Sequence, residues 1–427
     1  MTQEPSGTRP SVDRAASAVD AARIEAELRT LVQVPSITGS EETVADLVAR
    51  LAADAGAAVE RLEPDPAEAR RDPEWPGEEM PRTRLPIVLA RLGRPGRRRL
   101  LLVGHTDVVP PGDPTTWTMP PWDGVVRDGR LYGRGSCDMK GGVASILAVL
   151  RALTSSGIAG QFDGEVLAAF VPSEEDGGQG MLAAIRAGVV GDMAVIPEPS
   201  GLEIVVAHAG ALTFRLVVPG RAAHASKRLE GVSALDKLIV LARALEADEA
   251  RRNGRETNPL MTALGLPYPT IIGKVEGGEW ASTVLDRVVA EGRYGVRLGQ
   301  TWRDAEADLR TAIDEACDAD PFLGEHRPSL EITGGRFSSG QVPADHPLPL
   351  ALADAAATVT GRRPERLGAP YGADMRLLIN EGATPTVIFG PGDARVAHSA
   401  DEYVALDEVE ACAQVLAAWV VRELASG

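Results

Sequence analysis

The first residues that could do chemistry in this 427-residue chain are His105 and Asp107, which follow the apolar run 101–103. Residues two positions apart point to the same side of an extended segment. The imidazole of His105 is therefore a candidate metal ligand, and the Asp107 carboxylate could accept its free ring N–H. A buried histidine that pairs with an aspartate for structural reasons is the alternative.

Two further segments carry carboxylates at comparable positions. Asp138 lies in a glycine-rich turn before a predicted helix, where two metal ions could share its oxygens. An ordinary helix N-cap is the alternative for this residue. Glu174 and Glu175 follow a predicted strand, and adjacent carboxylates are costly unless a cation neutralises them. One could bind metal while the other acts as a general base, unless the pair is only a solvated acidic loop.

The last two candidate ligands are Glu198, at the end of another apolar run, and His398, in a loop near the C-terminal helix. Each of these motifs alone is weak evidence for a metal site. Together they supply two histidines, three carboxylates and one spare glutamate at successive strand ends of one predicted sheet. A mixed set of nitrogen and oxygen ligands suits zinc or another first-row divalent ion.

Alternating strands and helices must position these side chains. Apolar spacing and short apolar runs predict helices at 20–33, 41–55, 139–155 and 180–187 and buried strands at 85–92, 100–103, 165–171 and 193–196. This alternation predicts an α/β sheet with helices on both faces, whose active residues lie beyond the carboxyl ends of strands. Residues 64–84, rich in proline, glutamate and arginine, are predicted to form a surface insertion.

The pattern changes near residue 210. Between 211 and 333 the predicted order is strand, helix, strand, strand, helix, strand, which is typical of a ferredoxin-like α+β module. The α/β pattern resumes after about residue 336. We therefore predict an α/β catalytic domain with a mixed, mainly parallel sheet, in two parts (19–209 and 337–427). An α+β lid or dimerisation domain (210–336) interrupts it.

The composition and net charge of the chain argue against some classes of binding partner. Lys and Arg number 44 against 61 Asp and Glu, and the net charge of −17 argues against binding to nucleic acid or anionic membranes. No run approaches the length of a membrane span. Three widely spaced cysteines favour a reducing compartment, and we expect the cytoplasm. The N-terminus lacks the pattern of a secretory signal, and residues 1–18 are predicted to be a disordered leader.

Taken in order, the motifs His105-x-Asp107, Asp138, Glu174-Glu175, Glu198 and His398 resemble a family of co-catalytic metallo-aminoacylases and carboxypeptidases. It includes acetylornithine deacetylase, succinyl-diaminopimelate desuccinylase, aminoacylase-1 and glutamate carboxypeptidase. The resemblance runs over roughly residues 20–425 and implies two divalent ions, Zn²⁺ or else Co²⁺ or Mn²⁺. Asp138 would bridge them, His105 and Glu198 would complete one, and Glu175 and His398 the other. Asp107 would orient His105, and Glu174 would be the general base for attack of a metal-bound water.

The resemblance also implies residues on the substrate side. His224 is similar to a family histidine that reaches the partner's active site in dimers, where it would polarise the scissile carbonyl or stabilise the oxyanion. A surface histidine is the alternative. Gly390 and Gly392 would belong to a glycine loop that offers backbone N–H groups to an anionic group, unless they form an ordinary turn.

Other positions depart from the family pattern. Ser282 and Thr283 stand where members often carry an asparagine, so either could take over its donor role. Arg376 could pair with a substrate carboxylate or could be a helix-surface arginine. These departures affect the choice of substrate more than the reaction type.

The sequence thus predicts a deacylase for N-acyl amino acids or similar small amides, acting as a homodimer. A dipeptidase or carboxypeptidase of the same fold is one alternative, and a non-catalytic metal-binding protein is another. The presence of Glu174 speaks against the non-catalytic alternative. A nucleotide enzyme would need a lysine-bearing phosphate loop, and we find none in the sequence.

Overall fold

The computed structural model describes residues 8–343 and 345–424. Its α-helices are α1 (Thr8–Ser17), α2 (Ala21–Val32), α3 (Glu42–Asp54), α4 (Pro66–Ala69), α5 (Gly141–Ser155), α6 (Gln179–Arg186), α7 (Ala234–Gly254), α8 (Pro259–Thr262), α9 (Trp302–Ala319), α10 (Pro321–Glu325), α11 (Pro347–Thr360), α12 (Met375–Asn380) and α13 (Leu406–Leu424). Its strands are β1 (Ala58–Leu62), β2 (Ile87–Gly93), β3 (Arg98–His105), β4 (Val125–Arg127), β5 (Arg130–Tyr132), β6 (Gly164–Val171), β7 (Met193–Ile196), β8 (Ile204–His208), β9 (Gly210–Pro219), β10 (Thr270–Gly277), β11 (Arg287–Val296), β12 (Ser329–Phe337), β13 (Gly340–Gln341), β14 (Arg366–Ala369), β15 (Thr386–Ile388) and β16 (Tyr403–Ala405).

The central sheet is mixed, as predicted. Its strand order is β1-β2-β6-β3-β7-β15-β8-β13, and β14 pairs with β8. β3 runs parallel to β6 and β7, and β15 runs parallel to β7. β1 and β2 extend one edge in antiparallel fashion. Every residue of β6 is buried, because helices cover both faces of a sheet that contains parallel strands.

Two hydrophobic cores lie on opposite faces of this sheet. Along β2, Val88 and Ala90 pack into the core that contains α2, α3, α5, α11 and α13. Ile87 and Leu89 pack into the core that contains α6 and α12. Alternate residues of a strand point to opposite faces, so these strands read as continuous apolar runs in the sequence.

A second, four-stranded sheet forms from the residues predicted to be inserted. Its strand order is β10-β11-β9-β12 and every pairing is antiparallel. Residues of β9 alternate between buried and half-buried, which matches one face packed on α7 and α9. The chain passes from β8 into β9 and returns from β12 to β13, and this path is the basis of the domain division that we propose.

The structure corrects two expectations. The disordered leader is wrong for residues 8–17, because Val12 and Ala15 are buried and α1 packs on α13. Residues 1–7 lie outside the described part of the chain. The insertion at 64–84 is not only a surface feature, since Arg82 is buried. Over the described residues, every helix is too short or too polar to cross a membrane.

Candidate active site

Three neighbouring strands bring the candidate ligands to one edge of the central sheet. His105 is the last residue of β3, and Glu174 and Glu175 follow the end of β6. Glu198 follows the end of β7. Since these strands are parallel neighbours, their carboxyl ends meet at the same edge. Asp138 reaches this edge from the turn before α5, and the loop that precedes β16 brings in His398.

Asp138 is shared by the two histidines of the cluster. Its Oδ1 lies 3.1 Å from His105 Nε2, and its Oδ2 lies 3.4 Å from His398 Nε2. Glu198 Oε1 is 3.6 Å from His105 Nε2, and Glu175 Oε2 is 3.1 Å from His398 Nε2. A carboxylate that faces two histidines through different oxygens can bridge two cations.

The donor atoms fit divalent cations. Those of His105, Asp138 and Glu175 lie within 4.8 Å of one another, as do those of His105, Glu174 and Glu198. Both groups contain His105, so distance alone permits more than one division of the ligands between two ions. Glu175 Oε1 is buried and has no hydrogen-bond partner among the described residues. Leaving such an oxygen unsatisfied is costly, and a cation would satisfy it.

The electrostatics of the cluster also favour a cation. Burial, and then the charge of Asp138, raises the pKa of Glu175 to about 7, and burial raises the pKa of Glu198 to about 8. Hydrogen bonds with Asp138 and Glu175 raise the pKa of His398 to about 11. Near neutral pH the two glutamates are therefore partly protonated, and the His398 ring holds its proton. A divalent cation would displace the protons, because metal ligands must be deprotonated.

Asp107 contacts His105 through its backbone carbonyl oxygen. The predicted hydrogen bond from the His105 ring N–H to the Asp107 carboxylate is absent. His105 Nδ1 lies 2.9 Å from the backbone oxygen of Asp107 and 3.7 Å from its carboxylate. When Nδ1–H donates to that carbonyl, the Nε2 lone pair faces the cluster. The carboxylate instead accepts the backbone N–H groups of Glu174 and Glu175 at 3.1 and 3.3 Å.

Glu402 is a supporting residue that the sequence reasoning missed. Its Oε1 accepts the backbone N–H groups of Cys137 and Asp138 at 2.9 and 3.1 Å, and its Oε2 pairs with Arg134. All four residues are buried or largely buried, so this pair fixes the turn that presents Asp138. The available signal was the acidic pair that closely follows His398 in the sequence.

Glu174, the predicted general base, faces a cavity. A cavity of about 210 Å³ opens on the cluster, and Glu174 lines it. Besides the candidate polar residues, the lining consists of Pro199, Tyr371, Gly372, Ala373, Ala394 and Ala397. Burial, and then the charge of Glu198, raises the pKa of Glu174 well above its ordinary value. A carboxylate with raised pKa is a better proton acceptor.

The structure brings His224, Ser282 and Thr283 together, but not to the cluster. His224 and Thr283 form an isolated β-bridge, and the backbone N–H of Ala225 donates to the Ser282 carbonyl at 2.9 Å. None of these residues lines the cavity. His224 is exposed, and its Nδ1 accepts the Ser226 N–H at 3.2 Å, which leaves the proton of the neutral ring on Nε2.

The structure does not bring the Arg376 guanidinium to the cavity. Its side chain is buried, and its Nη1 and Nη2 donate to the carbonyl oxygens of Ala373 and Gly177 at 2.9 and 2.6 Å. The guanidinium also lies 4.1 Å from the centre of the Phe337 ring. This placement matches neither a substrate contact nor a helix-surface arginine.

Gly390 and Gly392 use their N–H groups within the protein. Gly390 N donates to Ser200 Oγ at 3.0 Å, and Gly392 N donates to Glu408 Oε2 at 2.7 Å. A Cβ at Gly390 would lie 2.4 Å from the Glu198 carbonyl oxygen. Here glycine serves close packing against the backbone that carries Glu198.

A family model and several known proteins match this chain. A family model described as peptidase family M20/M25/M40 matches residues 101–422. A succinyl-diaminopimelate desuccinylase from Methylorubrum populi is 30% identical over 404 residues, which cover 89% of this chain and 93% of the relative. An acetylornithine deacetylase from Photorhabdus laumondii is 29% identical over 320 residues, covering 74% and 77% of the two chains.

Solved structures share the fold. A metallo-carboxypeptidase of the M20 family from Sulfolobus solfataricus aligns with a TM-score of 0.72 at 16% identity, covering 92% of this chain and 97% of that one. The family model spans more than half of the chain and includes all five candidate metal ligands. The chain therefore belongs to peptidase family M20/M25/M40 and is a metal-dependent hydrolase of amide bonds.

Proposed function

We propose that this hydrolase removes the acyl group from an N-acyl amino acid with the help of two divalent cations. The observation that carries the proposal is the Asp138 carboxylate, whose two oxygens face His105 and His398 at 3.1 and 3.4 Å. Asp138 would bridge the cations, His105 and Glu198 would complete one site, and Glu175 and His398 the other. Zn²⁺ suits this mixed set of ligands, and Co²⁺ or Mn²⁺ are the alternatives.

Separate residues of the chain would transfer the proton and hold the base in place during the reaction. Bound cations would lower the pKa of a water molecule and polarise the amide carbonyl. Glu174 accepts a proton from that water as it attacks the carbonyl carbon, and delivers the proton to the departing amine. Asp107 holds the backbone of Glu174 during both transfers, through the hydrogen bond at 3.1 Å.

The lining of the cavity favours a short, uncharged acyl group. In the part of the chain that the structure describes, no lysine or arginine lines it, whereas Ala373, Ala394 and Ala397 do. The guanidinium that we propose for the carboxylate of the amino acid, that of Arg293, would already be engaged, so the free carboxylate of a succinyl group would lose its hydration without a second cation to replace it. We therefore propose an acetyl-like group, although several relatives, among them the one from Methylorubrum populi, are named for removal of a succinyl group.

We propose Arg293 in place of Arg376 as the anchor for the substrate carboxylate. Arg293 Nη2 donates to the Pro370 carbonyl oxygen at 3.0 Å, beside the cavity residue Tyr371. Burial lowers the pKa of Arg293, and among the described residues no carboxylate acts against this shift. Half-burying a guanidinium that has no carboxylate partner is costly, and a bidentate carboxylate would offset that cost.

We further propose a homodimer that completes the site. β10 is an edge strand whose Ile271 and Val275 are 61% and 50% exposed, and Leu235 and Ile239 on α7 are each 45% exposed. A second copy of the chain can cover such an apolar edge and helix face by two-fold symmetry. The partner subunit's His224 would then donate its Nε2–H to the oxyanion.

The cytoplasm is the compartment that we propose. Cys137, Cys317 and Cys412 are all buried and unpaired. Free thiols of this kind persist in a reducing compartment.

A hydrolysis screen tests the proposed function. Metal-free protein is supplied with Zn²⁺, Co²⁺ or Mn²⁺ and assayed on N-acetyl amino acids, N-succinyl amino acids and dipeptides. We expect turnover of the N-acetyl amino acids and its loss on chelation. Faster turnover of dipeptides would replace the deacylase with a dipeptidase, and turnover that survives complete metal removal would contradict the metal site.

A further inference from the structure

The segment that was predicted to be a surface insertion reaches the back of the candidate active site through Arg82. The Arg82 side chain is fully buried, and its Nη1 donates to Glu41 Oε1 at 3.1 Å. Its Nη2 lies 2.9 Å from each carboxylate oxygen of Asp176. Glu41 and Asp176 are themselves buried, so two carboxylates removed from solvent share one guanidinium.

Asp176 connects this guanidinium to the turn that carries Glu174. Ser173 Oγ donates to Asp176 Oδ1 at 2.6 Å, and Ser173 has a φ of 75°, a left-handed conformation that is strained for serine. The backbone N–H groups of Glu79 and Met80 donate to Asp176 Oδ2 at 3.2 Å. Glu174 lies between Ser173 and Asp176 in the sequence, so this hydrogen bond closes the turn that carries Glu174.

The chain that carries Arg82 is held at its other end by the inserted sheet. We call residues 72–82 the strap. Arg303 on α9 pairs with Glu74 of the strap at 2.8 Å, and the Arg336 N–H on β12 donates to the Pro76 carbonyl at 2.6 Å. The strap therefore connects the four-stranded sheet, at Glu74 and Pro76, to the turn of Glu174, at Arg82.

We propose that Arg82 is a positioning residue for Glu174, acting through Asp176. The inference rests on the proposed role of Glu174 as the general base. Without the guanidinium, the buried carboxylates of Glu41 and Asp176 would lose their cationic partner. Breaking a buried ion pair in this way is strongly destabilising. A lysine would keep the charge, but its one nitrogen could not replace both Nη1, which contacts Glu41, and Nη2, which contacts Asp176.

Two substitutions and a matched control test this role. Arg82→Lys and Arg82→Gln are compared with Arg84→Gln, because Arg84 lies two residues away in an ion pair with Glu63 and is 51% exposed. The metal-loaded enzyme is assayed for kcat, KM, bound metal and melting temperature. Hydrogen–deuterium exchange of the peptide containing residues 173–178 is measured on the same samples.

For Arg82→Lys we expect kcat to fall about 10- to 100-fold, with KM within about twofold of wild type and the metal content unchanged. Exchange in residues 173–178 should rise, and Arg84→Gln should change none of these quantities. Arg82→Gln should lose more activity, and if it does not fold, Arg82→Lys decides alone. Wild-type kcat and exchange in Arg82→Lys would overturn the proposal, and so would a loss of kcat that only follows loss of metal.

The failure of this inference can be told from failure of the proposed function. Normal wild-type turnover with unaffected Arg82 variants would remove only the positioning role. Absence of turnover on every amide would remove the proposed function. In that case the exchange measurement still reports whether Arg82 orders the turn of Glu174.

Discussion

The carboxylate of Asp107 accepts a hydrogen bond from the backbone N–H of Glu174, with 3.1 Å between Oδ1 and N. Its Oδ2 accepts the Glu175 N–H at 3.3 Å and the Thr38 hydroxyl at 3.0 Å. The carbonyl oxygen of the same residue lies 2.9 Å from His105 Nδ1. Asp107 thus sets the relative positions of the candidate base and two candidate ligands.

Asp107→Asn should impair the enzyme without unfolding it. An amide retains one acceptor oxygen but presents N–H groups where the second acceptor was, so one backbone N–H of the Glu174 turn loses its partner. We expect kcat or metal affinity to fall about 10- to 100-fold. Thr38→Val, which removes one hydroxyl donor, should have a smaller effect. Wild-type kinetics and metal titration in Asp107→Asn would contradict the supporting role.

Gly390→Ala should weaken metal binding through Glu198. The new Cβ would lie 2.3 Å from the Pro197 backbone and 2.4 Å from the Glu198 carbonyl oxygen, so this backbone must move. We expect metal affinity to fall about tenfold or more, as for other disturbed ligand supports. Gly160→Ala is the control, since nothing lies within 4 Å of its Cβ position. Equal metal affinity in the two variants would contradict this explanation of the glycine.

The ligand-bearing strands were predictable because strand ends are local features of the sequence. His105, Glu175 and Glu198 each follow an apolar run, and the parallel order of those runs brings their ends together. Strand β14 was missed because its residues, Arg366–Ala369, include only one large apolar side chain, Leu367, and β8 was missed although residues 204–207 form an apolar run.

Contacts across long stretches of sequence could not be predicted. Glu402 pairs with Arg134, and Arg82 pairs with Asp176, through side chains that only the packed structure brings together. The reason for a glycine is also hard to read from a sequence, and the pattern around Gly390 resembles a loop that binds an anion. In the structure, position 390 is a glycine because the Glu198 backbone approaches it closely.

His208 should make the stability of the fold depend on pH. It is fully buried at the end of β8, and burial lowers its pKa from 6.5 to about 4. Between these values the unfolded chain binds a proton that the folded chain does not, so stability rises with pH. The contribution is present above pH 6.5, and about 3 kcal/mol is lost as the pH falls to the folded-state pKa.

Denaturant unfolding of metal-free wild type and His208→Gln measures this contribution. The free energy of unfolding of the variant should vary less between pH 6.5 and pH 4 than that of wild type. Parallel pH profiles for the two proteins would show that His208 titrates alike in the folded and unfolded states.

Mixed dimers test whether His224 acts in the partner's site. His224→Ala and Glu174→Ala should each be inactive alone, while a mixed dimer has one site with an intact Glu174 and the partner subunit's His224. Statistical mixing then predicts about a quarter of wild-type activity, for a two-fold dimer. If the two variants demonstrably form mixed dimers and activity is not recovered, His224 does not act in the active site of the partner subunit and is a surface residue.

Glu174→Gln tests the central claim most directly, because the amide keeps the shape of the side chain but cannot accept the proton. Turnover of an N-acetyl amino acid and bound metal are measured on the same sample of variant and wild type. The proposed mechanism predicts that both cations are retained and that kcat falls about 10²- to 10⁴-fold, the usual contribution of a general base. Wild-type turnover in a fully metal-loaded Glu174→Gln enzyme would contradict it.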